Sequence, residues 1–288
     1  MQPSWLDMTC VFGDWDAVFS YDEDGTIRGV WAFHHGTRFG MRWIRLPILT
    51  PFTAIWIRES ADLSIQKKIT YQHDVLSDLE RQLPRTQIFE IKLPWYFMDW
   101  LPLYWRGYKQ ETRYTFRFAE VDVEKIFEGT SKSFRRNLRA AQKHYTIEEG
   151  TVDDLSAMME NVFEMRDAHV AFSQDTLDQI VRMLRQKNQC HVYAARDAEG
   201  VQAILLVVWD EQTTYYLIGG RRQTDSRHGT NLLLWQAICD AAQRGHAFDF
   251  EGSMIKGINR FFQNFGAELT PYSFIYKYRG LARLKYLQ

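Results

Sequence analysis

Apolar and polar positions alternate with period two in much of the first half of the chain, and helical spacing dominates the second. Asp16 to Tyr21 and Ile27 to His34 flank an Asp22-Glu23-Asp24-Gly25 turn, which predicts a β-hairpin. Arg42 to Leu46, Thr53 to Arg58, Ile88 to Leu93 and Tyr114 to Phe118 read as further strands. Ile65, Ile69, Val75, Leu76 and Leu79 recur at helical spacing, so Ser64 to Leu83 is expected to be a helix that Pro84 stops. The aromatic-rich Pro94 to Tyr108 fits neither period.

The second half opens with a helix expected over Ser131 to His144, then helices over Asp153 to Ala168 and Asp175 to Lys187. Strands follow at His191 to Arg196, Gln202 to Trp209 and Thr213 to Ile218. A helix from Gly229 to Arg244, a strand Ala247 to Phe250, a helical turn Gly257 to Asn264 and a strand Tyr272 to Tyr278 complete the pattern. The interleaving predicts a mixed α/β (α+β) fold. Eight of the ten tryptophans lie at or before Trp105, so two differently built halves are expected, 1–119 and 120–288.

Composition narrows the class. The 288 residues are 45% hydrophobic and 25% charged, a globular balance that argues against disorder and fibrous repeats. A formal net charge of −1 supplies no global attraction for nucleic acid or anionic lipid, so a polyanion site must be a local patch. Cys10, Cys190 and Cys239 are odd in number and lack a CxxC, which fits a reducing compartment. The uncharged stretch Leu46 to Ile57 is too short to span a bilayer and holds Pro47 and Pro51, and no signal peptide is recognisable. A soluble cytoplasmic protein is expected, with no oligomeric state implied.

Three places carry candidate chemistry. On the helix after Ser131, Lys132, Arg135, Arg136, Arg139 and Lys143 oppose the apolar Phe134, Leu138 and Ala141. Guanidinium forks in such a row suit substrate or phosphate oxygens, although an amphipathic helix also has an ordinary solvated face. The second place is Gly219, Gly220, Arg221 and Arg222, leading through Arg227, His228, Gly229, Thr230 and Asn231 into a helix. A strand, a glycine- and arginine-bearing loop and a helix start can cradle a pyrophosphate, or be a plain connection. The third is Phe248-Asp249-Phe250-Glu251-Gly252, where alternation puts Asp249 and Glu251 on one side as candidate general bases. Lys256 and Arg260 follow, as further phosphate contacts or as ion-pair partners of those carboxylates.

The basic helix Ser131 to Ala141, the strand Phe248 to Ser253 and the segment Gly257 to Leu269 together resemble the FemABX-like branch of the GNAT acyltransferases. The resemblance is best from Ser131 to Gly280. It implies two tandem GNAT-like halves, each a central mixed sheet flanked by helices, with the acyl-donor site in the C-terminal half. Of the GNAT phosphate-loop pattern the frame Ser226 to Asn231 keeps the central Gly229, and Phe262 stands where members acting on peptidoglycan precursors often carry Lys.

On this resemblance the chain is an N-acyltransferase taking acyl-CoA or acetyl-CoA as co-substrate, without a metal, and a small-molecule or peptide amine as acceptor. A backbone N–H near Leu217 to Gly219 would polarise the acyl carbonyl. Two alternatives stay open: an aminoacyl-tRNA-dependent Fem-like transferase, and a degenerate GNAT-like binding module without catalysis.

Overall fold

The computed structural model describes residues 2–59, 63–164, 172–222, 228–252 and 254–286. The chain divides into two compact units, Met1–Arg113 with Pro271–Gln288, and Tyr114–Thr270.

The first unit begins with helix α1 (Pro3–Thr9) and strands β1 (Asp14–Tyr21), β2 (Ile27–Arg38), β3 (Met41–Arg45) and β4 (Ala54–Ile57). Helix α2 (Ile65–Gln82), β5 (Ile88–Lys92), α3 (Leu101–Trp105) and the start of β6 (Lys109–Phe118) follow. The predicted hairpin is present: β1 and β2 pair antiparallel, and Gly25 takes the positive φ of 81° that the turn requires. Leu83 is extended at the end of α2 because the ring of Pro84 disfavours a helical residue before it. Val75, Leu76 and Leu79 on one face of α2 pack into a core with Trp31, Phe89 and Ile91. Gly29 of β2 admits that helix, since a Cβ there would stand 2.4 Å from Val75 Cγ1.

The second unit holds α4 (Val123–Gly129), α5 (Lys132–His144), β7 (Thr146–Glu149), α6 (Val152–Glu164), α7 (Gln174–Gln186), β8 (Cys190–Asp197) and β9 (Gly200–Trp209). Then come β10 (Thr213–Arg221), α8 (Gly229–Arg244), β11 (Ala247–Asp249), α9 (Lys256–Gln263) and β12 (Glu268–Tyr278), which returns to the first unit before α10 (Ala282–Tyr286). Here the strand order is β6-β11-β10-β9-β8-β7, and all neighbours are antiparallel except β10 and β11. Val201 to Val208 of β9 are buried without a break, as expected of a strand covered on both faces. Ala203, Leu205 and Val207 join Phe134, Leu138, Leu233, Ile238 and Phe250 in one core, while α6 packs on β9 and β10.

The mixed α/β class holds, with the strands in one 12-stranded sheet whose β3–β5 and β10–β11 pairs are parallel, whereas the units do not divide at the expected 119/120. Residues 274–278 of β12 pair antiparallel with Lys92 to Ile88 of β5, and this pairing draws the last residues into the first unit. The boundaries fall inside β6 and β12, where composition changes little.

Candidate active site

Helix α8 connects β10 to its parallel neighbour β11, and these strands pair only from Thr213 opposite Ala247 to Tyr215 opposite Asp249. Strand β10 runs on to Arg221 whereas β11 stops at Asp249, so the pair opens at its C-terminal ends. Such crevices are where open α/β sheets bind ligands. The running part of β10 is bulged. Tyr216 opposes Val207 and Ile218 opposes Leu206, which leaves Leu217 as the extra residue, out of the regular ladder.

Gly219 and Gly220 lie within β10, not in the loop expected for them. A Cβ on Gly219 would stand 2.1 Å from the Tyr216 hydroxyl, and one on Gly220 would stand 2.8 Å from Met158 Cβ of α6. Close packing, not a turn, requires glycine at both positions. Arg221 ends the strand, and Arg222 follows it with an exposed side chain. Arg227 lies outside the described residues, as do Ser226 and Ser253.

His228 is exposed and left-handed (φ 66°) at the start of α8, and its own side chain makes no capping hydrogen bond. The amides of Asn231 and Leu232 donate back to the His228 carbonyl at 3.1 and 3.3 Å. Gly229 and Asn231 are buried and the Thr230 hydroxyl is buried too, so among the described residues from 228 to 231 His228 is the exposed side chain.

At the end of β11 the carboxylate of Asp249 is 1% exposed. Thr115 Oγ1 and the Glu251 amide both donate to Asp249 Oδ1, at 2.5 and 2.8 Å. Arg117 Nε stands 3.0 Å from Oδ2. Burial pushes the Asp249 carboxyl up from the usual carboxylate range, against the opposing pull of Thr115, the Glu251 amide and Arg117. The expected alternation of Asp249 and Glu251 on one strand side is therefore corrected. The chain leaves β11 after Asp249, and Glu251 and Gly252 are consecutive left-handed residues (φ 55° and 58°). A Cβ on Gly252 would stand 2.1 Å from the Tyr114 carbonyl oxygen, so the turn after Glu251 is held hard against β6. Asp249 is an internal anchor, and Glu251 is the half-buried carboxylate at the mouth of the turn.

Thr115 and Arg117 escaped the sequence reading. The available signal was Arg117 set between Phe116 and Phe118 in an apolar strand, because a charge placed there requires a buried partner. That partner is Asp249, whose carboxylate thus pairs with Arg117 and not with the expected Lys256 or Arg260. Lys256 and Arg260 are exposed on α9, whose Phe262 packs on Phe250, Phe116 and Tyr216 at ring-centroid distances of 5.1, 6.1 and 6.1 Å.

The basic row on α5 is split by the structure. Ser131 caps the helix through the Phe134 amide (3.1 Å), and the buried Phe134 ring packs tilted against that of Phe265. Arg135 turns back to donate to the carbonyls of Phe127, Glu128 and Thr130, closing the C-terminal end of α4. Its Nη1 thus serves the fold, and the side chain is half-buried where its neighbours on the row are exposed. Lys132, Arg136, Arg139 and Lys143 are exposed. Among the described residues no cluster of three His, Cys, Asp or Glu could hold a metal ion, and no helix is long and apolar enough to cross a membrane.

Residues 129–262 match the family model described as "Acetyltransferase (GNAT) domain". No curated protein matches the chain. Among solved structures the chain is similar to FemX at 12% identity and a TM-score of 0.65, over 94% of this chain and 90% of that one. It is similar to the C-terminal domain of a putative lysylphosphatidylglycerol synthetase from Agrobacterium fabrum at 12% identity and a TM-score of 0.54, over 94% and 87%. A tandem GNAT protein from the clavulanic acid biosynthesis pathway superposes with a TM-score of 0.54 at 9% identity, over 94% and 92%. Residues 129–262 thus match a GNAT acetyltransferase domain, and the chain shares its fold with FemX and with the tandem GNAT protein.

Proposed function

We propose that the second unit is an N-acyltransferase that moves an acyl group from acyl-CoA to an amine on a small molecule or peptide. The observation that carries this reading is the parallel β10–β11 pair that opens after Tyr215 and Asp249, with a bulge at Leu217 beside the opening. An extended donor arm fits between separated strands, where main-chain groups can hydrogen-bond to it. The start of α8, with Gly229 buried and His228 exposed, suits the donor's phosphates, and Arg222 is an exposed cation just beyond β10.

The donor supplies an activated thioester carbonyl. Backbone N–H groups around Leu217 to Gly219 polarise that carbonyl, in the manner of an oxyanion hole. The amine nitrogen forms the new C–N bond, the C–S bond breaks, and the thiolate leaves. Glu251, directly or through one water, takes the proton that the amine loses. Asp249 acts through Glu251: its Oδ1 holds the Glu251 amide and so fixes the turn that presents the carboxylate.

A second reading, an aminoacyl-tRNA donor, is favoured by the exposed row Lys132, Arg136, Arg139 and Lys143. RNA held by that row would bind with a steeper salt dependence than acyl-CoA, which offers fewer phosphates. The test of the primary reading is Glu251→Gln in a thiol-release assay with acetyl-CoA and an amine panel. Turnover should fall by ~10²–10⁴-fold with donor binding retained. Wild-type turnover in that variant removes Glu251 from the reaction, and a wild-type protein that neither binds nor turns over any donor is a binding module.

A further inference from the structure

The first unit contains a cleft of about 490 Å³, a volume in the range of small-ligand sites, at the end of α2 and the start of β5. Five cationic side chains line it: Arg81 from the last turn of α2, Arg85 from the α2–β5 connection, Arg106 after α3, Lys277 near the end of β12 and Arg279 just beyond it. Its one lining carboxylate is Glu80. A contiguous cleft of about 350 Å³ shares Lys277 and Arg279 and adds Lys109 and Arg283. In a chain of net charge −1 this is a local concentration of like charge, which costs free energy in the absence of a counter-charge.

The floor of the cleft is built, not incidental. Glu80, 9% exposed, stands 2.8 Å from Arg106 Nε and accepts the Tyr108 hydroxyl at 3.0 Å, so its charge is spent on orienting those two groups. Lys277 donates to the Arg106 carbonyl and lies 4.3 Å above the Tyr108 ring. Burial, and then the neighbouring Arg279, hold the Lys277 ammonium below the usual lysine range; Arg106 and Arg85 act in the same direction, and Glu80 opposes them. Of the five cations, Glu80 neutralises Arg106, and Arg81 leans toward Asp78 at 3.5 Å. Arg85 and Arg279 form no ion pair among the described residues.

We infer that this cleft binds a compact phosphate-rich anion carrying at least two phosphate groups, at a site separate from the α8 start. Guanidinium groups converging from three chain segments suit the oxygens of adjacent phosphates, which accept paired N–H bonds. A single concave cleft, not a track of cations along a surface, selects a compact ligand over a long polymer. The exposed Trp105 on the rim offers a flat face for an attached ring.

The test titrates the full chain with inorganic tripolyphosphate by calorimetry, with citrate and an RNA hairpin as comparators. Tripolyphosphate should bind more tightly than citrate, and Arg85→Glu/Arg279→Glu should weaken it at least about tenfold, the loss of one charge-assisted contact. Arg182→Glu, on α7 of the other unit, should leave that affinity unchanged. Should the double variant fail to fold, Arg85→Gln alone, at an exposed position, should still weaken binding. Equal affinity for citrate and tripolyphosphate, binding that survives both variants, or binding of the RNA hairpin but not of tripolyphosphate would overturn the inference.

Discussion

The amide of Glu251 donates to Oδ1 of Asp249 across 2.8 Å, so the buried carboxylate of one acidic residue holds the backbone of the next in a left-handed turn. Two acids that the strand pattern presents as equivalents are thereby given different tasks. Asp249 is enclosed by Thr115 and Arg117 and belongs to the interior, whereas Glu251 is half-buried beyond the end of the strand.

That relationship predicts a large stability cost at Asp249. Replacing it by Asn leaves the Arg117 guanidinium buried without its counter-charge, and breaking one side of a buried pair costs about 3–5 kcal/mol. Chemical denaturation of Asp249→Asn should show this loss. Asp249→Asn/Arg117→Met, which removes both charges, should recover part of it. A double variant no more stable than the single one would mean that the pair does not anchor the turn.

On α5, neighbouring arginines should behave differently. Arg135→Ala removes donors from the carbonyls that end α4 and should cost about 1–3 kcal/mol in thermal unfolding. Arg136→Ala and Arg139→Ala, at exposed positions, should stay within about 0.5 kcal/mol of wild type. Any loss of polyanion binding should track the latter two and not Arg135.

His34 makes stability depend on pH. It is 4% exposed in β2, with its ring 4.7 Å from that of Trp43, and burial pushes its pKa below the ordinary histidine value of 6.5, helped by His35 and opposed by the Leu46 backbone and Asp14. The unfolded chain therefore binds the proton more readily than the native one. The native-state advantage is complete above about pH 6.5 and is lost as pH falls from there toward the lowered folded value. Denaturation midpoints should decline over that interval in wild type and decline less in His34→Leu. Identical slopes would place the ring in an environment that accepts charge.

Much of this architecture is legible in the chain because its signals are local. Pro84 stops α2, Ser131 caps α5, and the Asp22–Gly25 turn joins β1 to β2, each through chemistry within a few residues. The short α1, α4 and β7 carry too few periods to register against the background. The candidate site was only half readable for a different reason. Gly219 and Gly220 look like turn residues, but their need for glycine comes from Tyr216 and from Met158 on a distant helix. Alternation failed at Glu251 because Gly252 must approach Tyr114 of β6, a contact between residues far apart in sequence. That the last strand pairs with Ile88 to Lys92 is announced by no local pattern, because those residues are far apart in sequence.

On the proposed function, a phosphate-bearing acyl donor sits in the β10–β11 opening against the start of α8. The most direct measurement is the acetyl-CoA-induced shift in unfolding free energy of wild type and Gly229→Val, each compared with its own ligand-free form. At a ligand concentration of ~100 Kd the wild type should gain about 2.7 kcal/mol. The valine side chain at the buried first position of α8 should remove most of that gain while the ligand-free variant remains folded. An equal gain in both proteins, or none in wild type, would contradict the account.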